Sequence, residues 1–180
     1  NPEGYPVLQR MLIDSWREAF RDPALPFVIT QLSSLQTHTP EKRLSDDFWK
    51  EVSPEKLGFA PLRAAQEKFF TYPATGLACT IDLGDHSDIH PARKAEVADR
   101  LVSEALRIRY GRRDCRPGPR FASMTRRGDT LVISFRDAGK GVVAKNGAVH
   151  PRMFSVAGED GAFVWAEAKA NGDGTVSVRA

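Results

Sequence analysis

Cysteine is scarce in this sequence, with two among 180 residues. Two thiols cannot make a disulfide framework, and alone they cannot build a four-ligand zinc site. The redox compartment is left open on that count. Long apolar runs are also missing: no stretch approaches the ~20 consecutive apolar residues of a transmembrane helix, and the mean hydropathy is −0.38. Charge of one sign is nearly balanced by the other, 26 Lys plus Arg against 23 Asp plus Glu, for a net +3. There is no Gly-x-Ser-x-Gly nucleophile elbow, and no glycine loop that would cradle a phosphate ahead of a helix. No basic segment precedes an apolar one at the start, so no signal peptide is visible. Internal repeats and low-complexity tracts are absent. For this chain, these absences exclude a helical membrane span, a disulfide-stapled miniprotein and a P-loop nucleotide site.

What is present is a globular composition, 41% hydrophobic and 27% charged. At this size a folded chain buries ~70% of its unfolded surface, enough for one substantial core or two small ones. The first half alternates helix and strand signals. Leu8, Met11, Leu12, Ser15, Trp16, Ala19 and Phe20 recur at i, i+3, i+4, i+7, the inward side of an amphipathic helix over 7–20. Arg10, Asp14, Arg17 and Glu18 fall mostly opposite. Pro23 and Pro26 stop this helix. Residues 27–32, Phe-Val-Ile-Thr-Gln-Leu, form a short apolar run of the kind buried on both faces. A long polar stretch over 33–54 follows, with Leu44, Phe48 and Trp49 as its anchors. Leu62, Ala65, Phe69 and Phe70 mark the inward side of a second helix over 62–70. Gly-Leu-Ala-Cys-Thr-Ile-Asp-Leu at 76–83 is a second buried strand. From residue 92, Ala95, Ala98, Leu101, Val102, Ala105 and Leu106 trace a long helix to Tyr110 and Gly111, with Pro91 suited to its first turn.

Beyond Pro117 the pattern changes to short alternating strands: 120–124, 130–135, 162–168 and 175–179. Turn residues such as Gly128, Gly139, Asn146-Gly147, Gly161 and Gly172 punctuate them. The organisation expected is an α/β part over 1–112 and a β-rich module over 113–180. The chain opens at Asn1 without Met and closes inside an alternating pattern, so it is expected to be a piece of a longer protein. Eight arginines (107, 109, 112, 113, 116, 120, 126 and 127) and one acid, Asp114, lie between Arg107 and Arg127. Such a run suits phosphate. No interleaved aromatics and no zinc, helix-turn-helix or RNA-binding signature accompany it. The expectation is a solvated connection, with no nucleic acid and no membrane as partner.

The densest chemistry is Gly84-Asp-His-Ser-Asp-Ile-His90, at the carboxyl end of the second strand and the mouth of a helix. Open α/β sheets place their ligands there. His90 suits a general base, with Asp88 or Asp85 fixing its tautomer. The competing reading is a surface histidine beside a helix start. His86, Asp85, Asp88 and His90 can also be weighed as metal ligands, but their spacing fits no specific motif. Cys79 reads as a small buried hydrophobe. Cys115 lies among arginines that would favour its thiolate. His38 and His150 have no acid close in sequence.

Several phrases resemble the sialate O-acetylesterase family of the SGNH hydrolase superfamily. They are Tyr5 to Arg17 with its Trp-Arg ending, Phe27 to Leu32, Leu62-Arg-Ala-Ala-Gln66, Gly76 to Asp85, and Asp88-Ile-His-Pro91 followed by Lys94. The likeness runs on through Arg100-Leu101 to Tyr110-Gly111. It then reaches Gly118-Pro119, Phe135, Phe154 and Ala157-Gly-Glu-Asp-Gly161. The resemblance implies the C-terminal part of a flavodoxin-like three-layer α/β/α domain followed by a small all-β module. It also implies a serine esterase that removes acetyl groups from sugar hydroxyls, without metal or organic cofactor, in the periplasm or secreted. His90 matches the catalytic base and Asp88 the orienting acid. In much of the superfamily the acid lies three residues before the histidine, here Ser87, so Asp85 and a His-only dyad stay open beside Asp88. The nucleophilic serine and the oxyanion-hole Gly and Asn belong to family segments that precede this sequence. The partners implied are an acetylated carbohydrate and that upstream segment. Flavodoxin-like order pairs the two apolar strands with each other and puts upstream strands beside 27–32. One edge of that strand and the apolar face of the first helix are then expected to lack cover. The alternative function is a non-catalytic carbohydrate-binding or interaction fragment.

Overall fold

The protein's structure is a computed structural model that describes residues 2–35, 53–54, 59–85, 88, 90, 92–115, 117–144, 147, 149–151 and 153–180. The helices and the first two strands belong to one compact unit and the later strands to another, parted after Pro117. The anchors expected in the polar stretch, Leu44, Phe48 and Trp49, lie outside the described residues, as does Pro91.

The first unit contains α1 (Tyr5–Phe20), β1 (Phe27–Thr30), α2 (Ala60–Glu67), β2 (Thr75–Ala78) and α3 (Lys94–Tyr110). α2 continues into a 3-10 turn over Lys68–Thr71. β1 and β2 are parallel, with Phe27 opposite Thr75 and Thr30 opposite Ala78. Ile13, Ile29, Phe69 and Leu77 make the core, with Tyr5, Phe27, Phe70 and Tyr72 packed around it. All four residues of β2 are buried, whereas Ile29 alone is buried in β1. Among the described strands β1 pairs only with β2.

α1 forms where the periodicity placed it, its apolar stripe lacks cover as expected, and the described unit packs the other side. Ile13 and Arg17 are its buried residues. Leu8, Met11, Leu12, Trp16 and Phe20 of the apolar stripe are 48% to 68% exposed. The Arg17 side chain is held by carbonyls: its Nη2 donates to Pro73 O at 2.6 Å and its Nε to Leu25 O at 3.2 Å. Its guanidinium also lies over the rings of Phe27 and Tyr72. An arginine so paired is tolerated inside because its donors are satisfied and its planar face meets aromatic carbon. The sheet therefore touches the narrow Ile13–Arg17 side, and the broad stripe has solvent over it.

The second strand is shorter than its apolar run. It ends at Ala78, and Ile81–Leu83 forms a 3-10 turn. Two bonds account for the early end: the Thr80 hydroxyl donates to Gln31 O, and Leu83 N donates to Thr80 O at 3.0 Å. α3 is also corrected. Ala95, Ala98 and Val102 are exposed, while Leu101, Ala105 and Leu106 are only half-buried. Its buried residue is Glu104. Glu104 Oε2 accepts from Leu77 N at 3.2 Å and from Arg107 Nη2 at 2.7 Å. A β-carbon at Gly76 would stand 2.7 Å from that oxygen and 3.0 Å from Glu104 Cβ. Glycine there is what lets the helix carboxylate reach the strand N–H.

The second unit contains β3 (Arg120–Arg127), β4 (Thr130–Arg136), β5 (Phe154–Ala157), β6 (Phe163–Ala170) and β7 (Thr175–Arg179). They form one antiparallel sheet in the order β3-β4-β7-β6-β5. Ala166, Ala168, Val176 and Val178 are buried on one face, with Leu131, Ile133, Phe135 and Phe154 beside them. Alternation along β7 sends Val176 and Val178 inward and leaves Ser177 and Arg179 less covered.

Candidate active site

The carboxyl ends of β1 and β2 are brought together by buried polar groups. Gln31 N donates to Ala78 O at 2.9 Å, extending the pairing one step past β1. Gln31 Nε2 donates to Arg63 O at 3.2 Å, and Leu32 N donates to Gln66 Oε1 at 2.9 Å. Gln66 in turn donates from Nε2 to the Tyr5 hydroxyl at 3.2 Å. The two strand exits then meet at Gly84, where a β-carbon would lie 2.1 Å from Ser34 O. No side chain fits at that joint. The open ends of a parallel pair are thus fixed side by side, and the chain carrying Asp88 and His90 leaves from this point.

Asp88 and His90 are adjacent in space. His90 Nδ1 is 3.0 Å from Asp88 Oδ1, and the same oxygen accepts the His90 backbone N–H at 2.8 Å. Those two bonds, the backbone one foremost, hold the Asp88 carboxyl below the usual carboxylate range, while Asp85 opposes the effect as a nearby like charge. An ionised Asp88 can only accept, so the neutral imidazole carries its proton on Nδ1 and keeps the lone pair on Nε2. The imidazole is 80% exposed and the carboxylate 60%. The arrangement is therefore an oriented, accessible base. A cleft of about 280 Å³ lies along β2 and α3, lined by Cys79, Asp99, Arg100, Ser103 and Glu104 among others, but neither Asp88 nor His90 lines it.

The other residues singled out in the sequence fall elsewhere. His38, His86 and Ser87 lie outside the described residues. Among the described residues, no three His, Cys, Asp or Glu side chains gather to hold a metal ion. Cys79 and Cys115 are half-buried free thiols, Cys79 just past the end of β2. His150 Nδ1 faces Ala168 O at 3.2 Å, a bond internal to the second unit. The arginine run is divided among different tasks. Arg107 pairs with Glu104 and lies over Phe70; Arg112 makes two bonds to Asp114; Arg126 donates to Gly128 O. Arg120 is buried, and Arg116 lies outside the described residues. Sequence reasoning gave no role to Gln66 or Asp82. A polar residue at an inward helical position and an acid following a strand were the available signals.

No family model matches the chain, and no curated protein matches it. Among solved structures the chain is similar to a carbohydrate acetylesterase from Xanthomonas citri, with a TM-score of 0.76 and 32% identity over 98% of this chain. The chain spans 38% of the length of that structure. Its mixed α/β architecture, a parallel pair and an antiparallel sheet, matches that neighbour.

Proposed function

We propose that this chain is the base-bearing part of a carbohydrate acetylesterase of the serine type. O-acetylated sugars, sialates among them, are the substrate class. One observation carries the reading: His90, with Nδ1 on Asp88 and Nε2 accessible, stands beyond the carboxyl end of a parallel strand pair. The 32% identity to a carbohydrate acetylesterase supports it. In this mechanism a serine outside these residues attacks the acetyl carbonyl while His90 Nε2 takes the hydroxyl proton. That proton passes to the departing sugar oxygen, leaving an acetyl-enzyme. Water then attacks the acetyl-enzyme, gives its proton to Nε2, and the serine is released with acetate. Asp88 keeps the imidazole in the required tautomer and stabilises the imidazolium. No step calls for a metal or organic cofactor.

The same reading supplies a partner for two uncovered surfaces, namely preceding chain of the same protein. A parallel sheet is stable when both faces are covered by helices, and an isolated strand pair is marginal in water. Among the described residues β1 has one strand neighbour, and the stripe from Leu8 to Phe20 has solvent over it. Further strands beside β1, and a helix over the stripe, would complete a flavodoxin-like three-layer domain of SGNH type. The test is acetate release from O-acetylated sugars by the longer protein and by its His90→Ala variant. Turnover in the first and its loss in the second is the expected result. Equal turnover would overturn the reading, as would clean turnover by this chain alone; sugar binding without turnover would favour a non-catalytic carbohydrate-binding role.

A further inference from the structure

The structure assigns a positioning role to Asp82, Arg93 and Arg100: they clasp the two ends of the segment that carries Asp88 and His90. This inference rests on the esterase reading, since it concerns where the base of that reaction is held. Asp82 follows β2 inside the 3-10 turn, while Arg93 and Arg100 belong to the start and second turn of α3. Arg100 Nη1 and Nη2 donate to Asp82 Oδ1 and Oδ2 at 2.5 and 2.8 Å, a fork on a fork. The same Nη1 donates to Cys79 O at 2.6 Å. Arg93 Nη2 donates to Asp82 O at 2.5 Å.

An isolated ion pair at this exposure would count for little. Here four bonds converge on one short stretch, and they join residues that lie on opposite sides of the His90 segment in sequence. The stretch itself is already fixed from below, by Thr80 on Gln31 O and by Gly84 against Ser34. The bond between His90 and Asp88 is local and sets the ring within its own segment. It cannot set where that segment stands over the sheet. The clasp does, because it fixes the separation between the exit of β2 and the entry of α3. Arg100 bonds two successive parts of the exit, the Cys79 carbonyl and the Asp82 carboxylate, so rotation of the turn is blocked as well as translation. Arg93 adds a third point on the Asp82 carbonyl that does not depend on the carboxylate.

The experiment compares Asp82→Asn, Arg100→Met, Arg100→Lys and the Asp82→Asn/Arg100→Met double variant in the longer protein. A displaced base costs turnover more than binding. Arg100→Met and Asp82→Asn should therefore lower kcat about tenfold or more, with KM changed less than about twofold. Arg100→Lys should recover part of the loss, because it keeps the charge without the fork. The double variant should cost no more than the worse single one, since the bonds weakened by Asp82→Asn are among those removed by Arg100→Met. Amide hydrogen exchange over residues 84–92 of the same protein should quicken in Arg100→Met. Wild-type kcat in the single variants, losses that multiply, or loss in KM alone would overturn the clasp. If the wild type releases no acetate, the esterase reading falls by itself, and unchanged exchange over 84–92 then overturns the clasp on its own terms.

Discussion

In the second unit five antiparallel strands share one ladder, and Val176 and Val178 are each 1% exposed beneath it. In the first unit two parallel strands make the sheet among the described residues, and large apolar side chains such as Leu8 and Phe20 are more than 60% exposed on the helix beside it. Connectivity explains the contrast. Antiparallel strands joined by short turns carry their neighbours with them in sequence, and they tolerate one wet face. Parallel strands gather neighbours from distant parts of a chain and need helices on both faces. A segment of given length can therefore complete an antiparallel sheet while supplying only part of a parallel one. The two-stranded parallel sheet is also the one whose open end carries the oriented histidine.

The largest effect expected separates chemistry from stability in the first unit. His90→Ala in the longer protein should lower kcat by several orders of magnitude, as loss of a triad base does. Its melting temperature should not move, because the ring is 80% exposed. A parallel loss of stability would place His90 in the packing instead. Next come the residues that make the first unit a folded body despite its short sheet. Leu77→Ala should cost about 2–5 kcal/mol, read from denaturant midpoints. Gly84→Ala should cost about 1–3 kcal/mol through overpacking, because its neighbour is backbone and cannot step aside. A mild Leu77 effect would show that the parallel pair contributes little to the fold. Smaller again is the α1 stripe. Leu12→Lys in this chain should change stability by less than about 0.5 kcal/mol, and should destabilise the longer protein by more than that. Equal effects in the two would remove the case for a covering segment.

The smallest effect concerns Asp114. The bonds from Arg112, with the Oδ2 contact at 2.6 Å, lower its carboxyl pKa to about 2. A carboxyl whose folded pKa lies below its unfolded value stabilises at pH above about 4 and loses that contribution as pH falls toward the folded value. The pair is exposed and screened, so Asp114→Asn should lower the melting temperature only slightly near neutral pH, and that small gap should close as pH falls toward about 2. A large pH-dependent gap would show that the arginine run is ordered more tightly than its exposure implies.

Much of this was legible in the sequence where a pattern reports on a local cause. The two apolar runs became parallel strands, the second half became antiparallel ones, and the Asp-x-His phrase came together as a bonded pair. Misreadings arose where the partner of a residue is remote in sequence. In α1 the apolar stripe is expected to lack cover, and it is exposed; what periodicity did not give is the side that the described residues cover. The described unit packs the Ile13–Arg17 side, because its arginine finds the carbonyls of Leu25 and Pro73. In α3 the buried residue is an acid, and its reason is a strand N–H 27 residues away together with a glycine that admits it. β2 stops before its apolar run does because Thr80 turns to bond β1's exit. Hydrophobic spacing carries no information about such hydrogen bonds.

The contact between Gly84 and the Ser34 backbone also bears on insertions and deletions. It fixes the point from which the length of the following segment sets the reach of His90. One residue added or removed between Gly84 and Arg93 changes the span available to His90 by up to about 3.5 Å, more than a hydrogen bond can stretch. Length variation among natural versions of this chain should therefore be rare in that interval.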